Sequence, residues 1–463
     1  MKKTTTTNIG FIALLTLTAS MGGFLFGFDT AVISGTLSFV KTQFAISPLL
    51  EGWFVSSALI GCIAGVAITG KMSTALGRKK VMLFSALLFI ISVLGCAFSP
   101  GFFMLIVFRL IGGVGIGVSS VICPMYITEI APSGLRGKLV TYYQLAITIG
   151  ILVAYFSNSM IQANHTGTNS NAWIQLIFIT EPWRGMFAVG ILPAAIFLIM
   201  SFLIPESPRW LVLKNRVTQA DLILKKITTV ELAQTELKAI QNALLDTKKI
   251  PLSELFRGNL TKPMIIGISL AALSQFSGIN AIIYYGPSIL EKAGFRLSEA
   301  LGGQVTIGMV NMLFTIVAIC FIDRSGRKPL LLWGIGGAVV SLLLAAILFA
   351  MNISIGWLVL IPVIMFIACF AFSFGPVTWV VVSEIFPTRI RSEAVAISTM
   401  SLWLANWVVG QFFPVLLNKS GASVTFLIFA VFSSYAFYLA WKKIPETKNK
   451  SLEEIETFWT QQK

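Results

Sequence analysis

The chain has 463 residues, of which 56% are hydrophobic and 11% charged, against the roughly 25% charge of an ordinary water-soluble domain. A soluble globule of this size could not cover itself with so little charge. The 34 Lys and Arg against 19 Asp and Glu give a formal net charge of +15. The basic residues cluster between apolar runs of about 20 residues, which is the pattern of membrane-protein loops and excludes a nucleic-acid-binding surface.

In chain order, runs long enough to cross a bilayer fall near 9–38, 50–70, 81–99, 102–124, 139–160, 184–204, 262–290, 303–322, 329–351, 355–382, 394–417 and 421–441. Lys2 and Lys3 before the first run imitate a secretory signal. That run continues well past a signal's apolar core and similar runs follow, so it reads as an uncleaved first span. Span one carries Asp29, and span four carries Arg109 followed by Gly112, Gly113, Gly115 and Gly117, whose Gly113-to-Gly117 spacing permits close helix contact. After span six a polar segment, 205–261, holds helix-like stretches at 219–229 and 231–245 and is expected along the inner membrane surface. Span seven is dense in polar groups: Ser274, Gln275, Ser277 and Asn280, then Tyr284 and Tyr285. In span ten Gly375-Pro376 removes a backbone hydrogen bond, so a bend is expected there.

An even number of spans puts both termini on one side. Alternate assignment of the loops places 28 of the 34 basic residues on that side and five on the other, so the positive-inside rule makes it the cytoplasm. The expected location is the inner cell membrane, crossed many times. The basic residue left over is Arg109.

Motifs recur at comparable offsets. Gly77-Arg78-Lys79 returns as Gly326-Arg327-Lys328, Glu129 with Arg136 as Glu384 with Arg391, and Pro205-Glu206-Ser207 as Pro445-Glu446-Thr447. This is the signature of a duplicated architecture. The expected fold is an all-α membrane protein whose twelve transmembrane helices form two pseudo-symmetric six-helix halves, 1–204 and 262–443, joined by the 205–261 linker and followed by a cytoplasmic tail, 444–463.

Asp29 and Arg109 each cost at least about 2.5–3.5 kcal/mol at mid-membrane. Each lies roughly 8 residues, or about 12 Å, below the outer boundary, so they can meet. Two readings are open: a static salt bridge locking two helices, or a carboxylate that takes up a proton from outside, releases Arg109 and lets two states exchange. The five cysteines all lie in apolar runs without metal-ligand spacing, and His165 stands alone in a polar stretch. No metal site, cofactor or nucleophile constellation is expected, and so no enzyme.

The motif set resembles the sugar porters of the major facilitator superfamily over essentially the whole chain. It is most similar to bacterial xylose/proton symporters and more distantly to the facilitative glucose transporters. The resemblance is carried by Gly27-Phe28-Asp29-Thr30, Arg109 with Ile111-Gly112-Gly113, Pro205 to Trp210, Gln275 to Asn280, Gly375 to Trp379 and Pro445 to Lys448. It implies sugar contacts from Gln144, Gln275, Asn280, Asn311, Trp379 and Trp403, with Phe26 and Tyr284 at cavity or gate positions. It also favours proton coupling through Asp29 and Arg109, since facilitative members generally lack the aspartate. The repeated Arg and Glu residues (Arg78, Glu129, Arg136, Glu206, Arg209, Arg327, Glu384, Arg391 and Glu446) are expected to pair across the cytoplasmic ends of each half, as in related porters.

Three departures stand out. Ser274 replaces the first of two consecutive glutamines, Leu402 stands where relatives often carry an amide, and Thr74 stands where many have Asp. The last implies a looser first-half network, because Asp323 keeps the acid in the second half. The resemblance points to a proton-coupled pentose or hexose symporter acting as a monomer, with the sugar, protons and the bilayer as its partners. Facilitated uniport of a sugar or polyol is the alternative, and a sugar-sensing transceptor would carry a longer cytoplasmic tail.

Overall fold

Apolar side chains on every face and internally bonded backbones are what a bilayer demands, and twelve helices meet that demand by length and composition. The structure, a computed structural model, describes residues 8–132, 135–164, 171–245, 255–256, 260–353, 355–386 and 390–446. His165 and the tail beyond residue 446 lie outside these residues, as does the side chain of Asp323.

The helices are α1 (Ile9–Phe44), α2 (Pro48–Leu76), α3 (Arg78–Ala97), α4 (Phe102–Ile130), α5 (Arg136–Asn164), the short α6 (Ala172–Ile174), α7 (Pro182–Ala188) and α8 (Ile191–Leu203). The linker forms α9 (Pro208–Leu213), α10 (Val217–Ile227) and α11 (Val230–Leu245). There follow α12 (Thr261–Phe276), α13 (Ile279–Lys292), α14 (Leu297–Ser325), α15 (Arg327–Ala350), α16 (Gly356–Cys369), α17 (Gly375–Glu384), α18 (Arg391–Lys419) and α19 (Gly421–Lys443).

Three predicted spans are interrupted: span six between α7 and α8 at residues 189–190, and spans seven and ten. Span seven is α12 followed by α13, broken at Ser277-Gly278, where Gly278 has φ +89° and a Cβ would stand 2.4 Å from the Phe429 ring. Glycine is required there on both counts. Span ten is α16, a π-helical turn over Phe370–Phe374, then α17 with Pro376 in its first turn. The expected bend thus takes the form of a π turn, which accommodates the amide hydrogen that Pro376 lacks.

The chain divides into two compact units. The first comprises residues 1–29, 60–150 and 187–249, and the second 30–59, 151–186 and 250–463, so α1, α2, α5 and α7 each contribute to both. In the first unit α2 and α4 approach backbone to backbone. A Cβ on Gly117 would stand 2.2 Å from the Cys62 carbonyl oxygen, and one on Gly61 would lie 2.9 Å from the Gly113 Cα. The glycine spacing in span four is therefore half of a reciprocal small-residue interface with Gly61 and Gly65. The linker helices close over Trp210, Leu211, Val212 and Ala220, and the Trp210 indole donates to the Thr74 carbonyl at 3.0 Å. The second unit packs Leu331, Ile335, Phe374, Val381 and Phe386 into a continuous core.

Many hydroxyls inside the spans are satisfied locally. Thr18 donates to Leu14, Ser34 to Ala31 and Thr69 to Gly65, each within one helical turn, so a helix in lipid tolerates them. Trp333, Phe103 and Leu192 are largely exposed on the outside of the helices, as lipid-facing residues would be.

The α2–α4 contact leads to a contrast between two substitutions. Gly117→Ala should overpack it and lose about 1–3 kcal/mol of stability, read as a lower melting temperature in detergent. Gly70→Ala, whose Cβ meets nothing within 4 Å, should leave the melting temperature unchanged.

Candidate functional site

The deepest charges of the first unit are a pair. Arg109 on α4 donates from Nη1 to Asp29 Oδ2 on α1 at 2.8 Å, with both side chains buried. Gly112 makes room for Ser92, whose Oγ would stand 2.3 Å from a Cβ there, and lies beside the carboxylate, with Asp29 Oδ1 at 4.0 Å from the same point. The guanidinium lies 5.9 Å from the Phe187 ring centroid, and its Nε is buried with no hydrogen-bond partner. A bidentate arginine would use both edges of its fork. This one is held at a single edge and leaves a donor unpaired, so the pair neutralises two buried charges without locking them geometrically.

In the second unit the break between α12 and α13 gathers the polar set of span seven. Asn280 donates to Gln275 Oε1 at 2.6 Å, and the Gln275 amide donates to Ser274 Oγ at 3.1 Å. Ser274, at the position of the departure noted above, therefore orients Gln275. Tyr284 and Asn406 exchange hydrogen bonds at 3.1 and 3.4 Å, both buried. Asn311 and Trp403 are buried, Asn280 is half-buried and Trp379 is exposed. Gln144 and Phe26 belong to the first unit and are half-buried.

A second constellation in this unit escaped the sequence reading. It lies where α1 runs into α2, at the distal parts of α13 and α18. Gln411 donates to the Leu49 carbonyl at 3.1 Å and accepts from Ser56 Oγ at 2.7 Å. A Cβ on Gly52 would stand 2.0 Å from the Gln411 carbonyl oxygen. Tyr285 donates to the Gly410 carbonyl at 2.6 Å, and Tyr155 on α5 donates to the Ile283 carbonyl at 3.0 Å. Segments of α2 and α5 are thereby fastened to α13 and α18. A buried amide at Gln411 and small residues at Gly52 and Gly410 are the signals that mark this contact in the sequence.

The duplicated Arg and Glu motifs form two similar turns. Arg78 grips Glu129 with Nε and Nη2 at 2.7 and 2.6 Å, and Ser207 Oγ also donates to Glu129. Glu206 accepts the backbone N–H groups of Arg78 and Ser207 at 2.8 Å each and that of Lys79 at 3.2 Å. In the repeat, Arg327 reaches Glu384 at 3.3 and 3.2 Å, and Glu446 accepts the N–H groups of Arg327 and Lys328 at 3.0 and 3.1 Å. Gly77 and Gly326 open the two turns at φ +94° and +87°.

Two expectations change here. The first-half pair is the tighter one, with side chains 10% and 7% exposed against 16% and 27% in the second, because Arg78 also donates to the Ser73 carbonyl and Glu129 gains the Ser207 hydroxyl. In addition, three arginines stand outside these ion pairs among the described residues. Arg136 and Arg209 are exposed, and Arg391 donates to the Phe386 carbonyl at 3.4 Å.

Residues 15–459 match the family model described as "Sugar (and other) transporter". The chain is 40% identical over 452 residues to the arabinose-proton symporter of Bacillus subtilis (strain 168), covering 98% of this chain and 96% of that protein. It is 36% identical over 484 residues to the D-xylose-proton symporter of Escherichia coli (strain K12), again covering 98% and 96%. A solved structure of the E. coli xylose transporter XylE in a partially occluded inward open conformation matches with a TM-score of 0.83 at 34% identity, covering 96% of this chain and all of that one.

Burial pushes the Glu206 carboxyl above its ordinary value, outweighing the N–H donors of Ser207, Arg78 and Lys79 and the Arg78 charge that pull it down. The folded chain therefore holds this proton more tightly than the unfolded one. Stability from Glu206 is fully present below the ordinary value of 4.5 and is lost as pH rises through the raised value. The melting temperature should climb as pH falls from neutral toward 4.5, and Glu206→Gln should flatten that part of the profile relative to the parent.

Proposed function

Because the chain belongs to the sugar (and other) transporter family, we propose that it is a proton-coupled monosaccharide symporter that carries a pentose or hexose by alternating access. The observation that carries this reading is the buried Asp29–Arg109 pair, held by one bond at 2.8 Å with a guanidinium donor left over. A proton on Asp29 cancels the attraction while leaving Arg109 charged in an apolar surrounding, so protonation raises the free energy of the state in which they touch. Rearrangement then relieves that cost, and the proton travels with the change of state.

Orientation follows from charge. With 28 of 34 basic residues on the side of the termini and the linker, both termini are cytoplasmic and the chain sits in the inner cell membrane as a monomer. The contact of Ser56, Gln411, Tyr285 and Gly410 then lies on the outer side, and the state described is closed to the outside. The repeated Arg and Glu turns lie on the inner side, where they stiffen the ends of each half.

The rocking bodies are the six-helix halves 1–204 and 262–443, joined by the linker 205–261 and followed by the tail from 444. Gln144, Gln275, Asn280, Asn311, Trp379 and Trp403 supply the sugar's amide and aromatic contacts, and Phe26 and Tyr284 border the cavity or its gate. The Gln275–Asn280 pair leaves an Asn280 carbonyl oxygen available to accept from a hydroxyl.

Two measurements test this reading. In proteoliposomes Asp29→Asn should lose gradient-driven accumulation of sugar while retaining sugar exchange, and undiminished accumulation would refute the coupling. The outer contact must also break in every cycle. A Cβ on Gly410 would stand 3.8 Å from Ser56 Cβ, the separation of about 3.8 Å that a disulfide needs. The double variant Ser56→Cys, Gly410→Cys should therefore stop transporting on oxidation and recover on reduction.

A further inference from the structure

The outer contact contains a charged pair that the coupling mechanism does not use. Lys41 near the end of α1 places Nζ 2.8 Å from Glu51 Oε2 on α2, with side-chain exposures of 46% and 4%. That oxygen accepts no hydrogen bond, so the attraction is Coulombic and depends on the lysine's charge. Lys41 also interacts electrostatically with Glu291 on α13, so one ammonium serves carboxylates on two helices. The other polar groups around it are already engaged. Lys292 donates to the Leu417 carbonyl at 3.3 Å, and Tyr285, which feels the Glu51 charge, donates to Gly410.

Glu51 is buried, and the next residue, Gly52, meets the α18 backbone so closely that a Cβ would stand 2.0 Å from the Gln411 carbonyl oxygen. Moving α18 away from α2 hydrates Glu51; bringing it back buries the carboxylate again. We infer that Lys41, Glu51 and Glu291 form an electrostatic clasp that holds the outer end closed, and that Lys41 is a positioning residue whose charge sets how readily that end opens during transport. This rests on the orientation given under Proposed function.

The pair is unequal, and the inequality is diagnostic. Without Lys41 the buried Glu51 carboxylate is stranded without its counter-charge, and separation of α18 from α2 is the direct relief. Without Glu51 a half-exposed ammonium remains in water at little cost. Removing both eliminates the stranded charge, so the double variant should close better than the lysine variant alone. Simple loss of packing would make the double variant worse.

The test uses Ser56→Cys as a reporter, labelled by a membrane-impermeant maleimide in right-side-out and inside-out vesicles, with labelling of the parent's own cysteines subtracted. Lys41→Gln should raise labelling from outside about fivefold, Glu51→Gln should change it less than about twofold, and the combination should return close to the reporter alone. Labelling unchanged by Lys41→Gln, or as high in the double variant as in the single, would overturn the clasp. Labelling from the inner face alone in every variant would instead show the orientation to be reversed, and the order among the variants would still decide the clasp. Gly410→Cys serves as a second reporter should Ser56→Cys fail to fold.

Discussion

A polar group inside a bilayer has no water to fall back on, and nearly every feature described above answers that constraint. Many hydroxyls bond to carbonyls within their own turn, several amides bond to one another or to backbone carbonyls, and Asp29 pairs with Arg109. Glycines let backbones touch. A carrier has a further requirement, because some of these satisfied groups must be exchanged for others in each cycle. The groups suited to that exchange are those satisfied by a single contact. Asp29 with Arg109 is one such case, and Ser56 with Gln411 is another.

The repeated Arg and Glu turns behave differently. Glu206 takes three backbone N–H groups and Arg78 grips Glu129 with both edges of its fork. Such multiple bonding holds a turn in one geometry. The same arrangement returns around Gly326, Arg327 and Glu446 with longer bonds, so duplication has preserved the design while its tightness has drifted between copies. Rigid turns and singly bonded pairs thus occupy different places in the chain, with multiple bonding at the repeated turns and single bonds elsewhere.

Much of this was legible in the residues. Apolar run length identified twelve spans, offsets revealed the repeat, and counting residues from the span ends brought Asp29 and Arg109 to one depth. What was not legible has a physical reason in each case. The break at Gly278 leaves hydropathy untouched, because Ile279, Ala281 and Ile282 continue the apolar run beyond it. The contact around Gln411 belongs to one conformational state and joins residues more than 350 positions apart, so local pattern cannot show it. Arg136, Arg209 and Arg391 carry the charge of the inner turns without sharing their ion pairs, since motif spacing records which residues accompany one another and not where a side chain reaches. Thr74 enters the first copy through its carbonyl, which accepts the Trp210 indole, a role that the type of its side chain could not signal.

The π turn at Phe370–Phe374 has a consequence for how span ten presents its side chains. One residue more than an α-helix requires advances everything after it by about 100°. A helical wheel drawn through residues 356–382 in one phase would therefore misplace Trp379 and Thr378 by more than a quarter turn. The direction in which the indole faces is set by a surplus residue upstream, and a substitution that restored an unbroken α-helix there would swing Trp379 around the axis of its own helix and change its neighbours without replacing Trp379 itself.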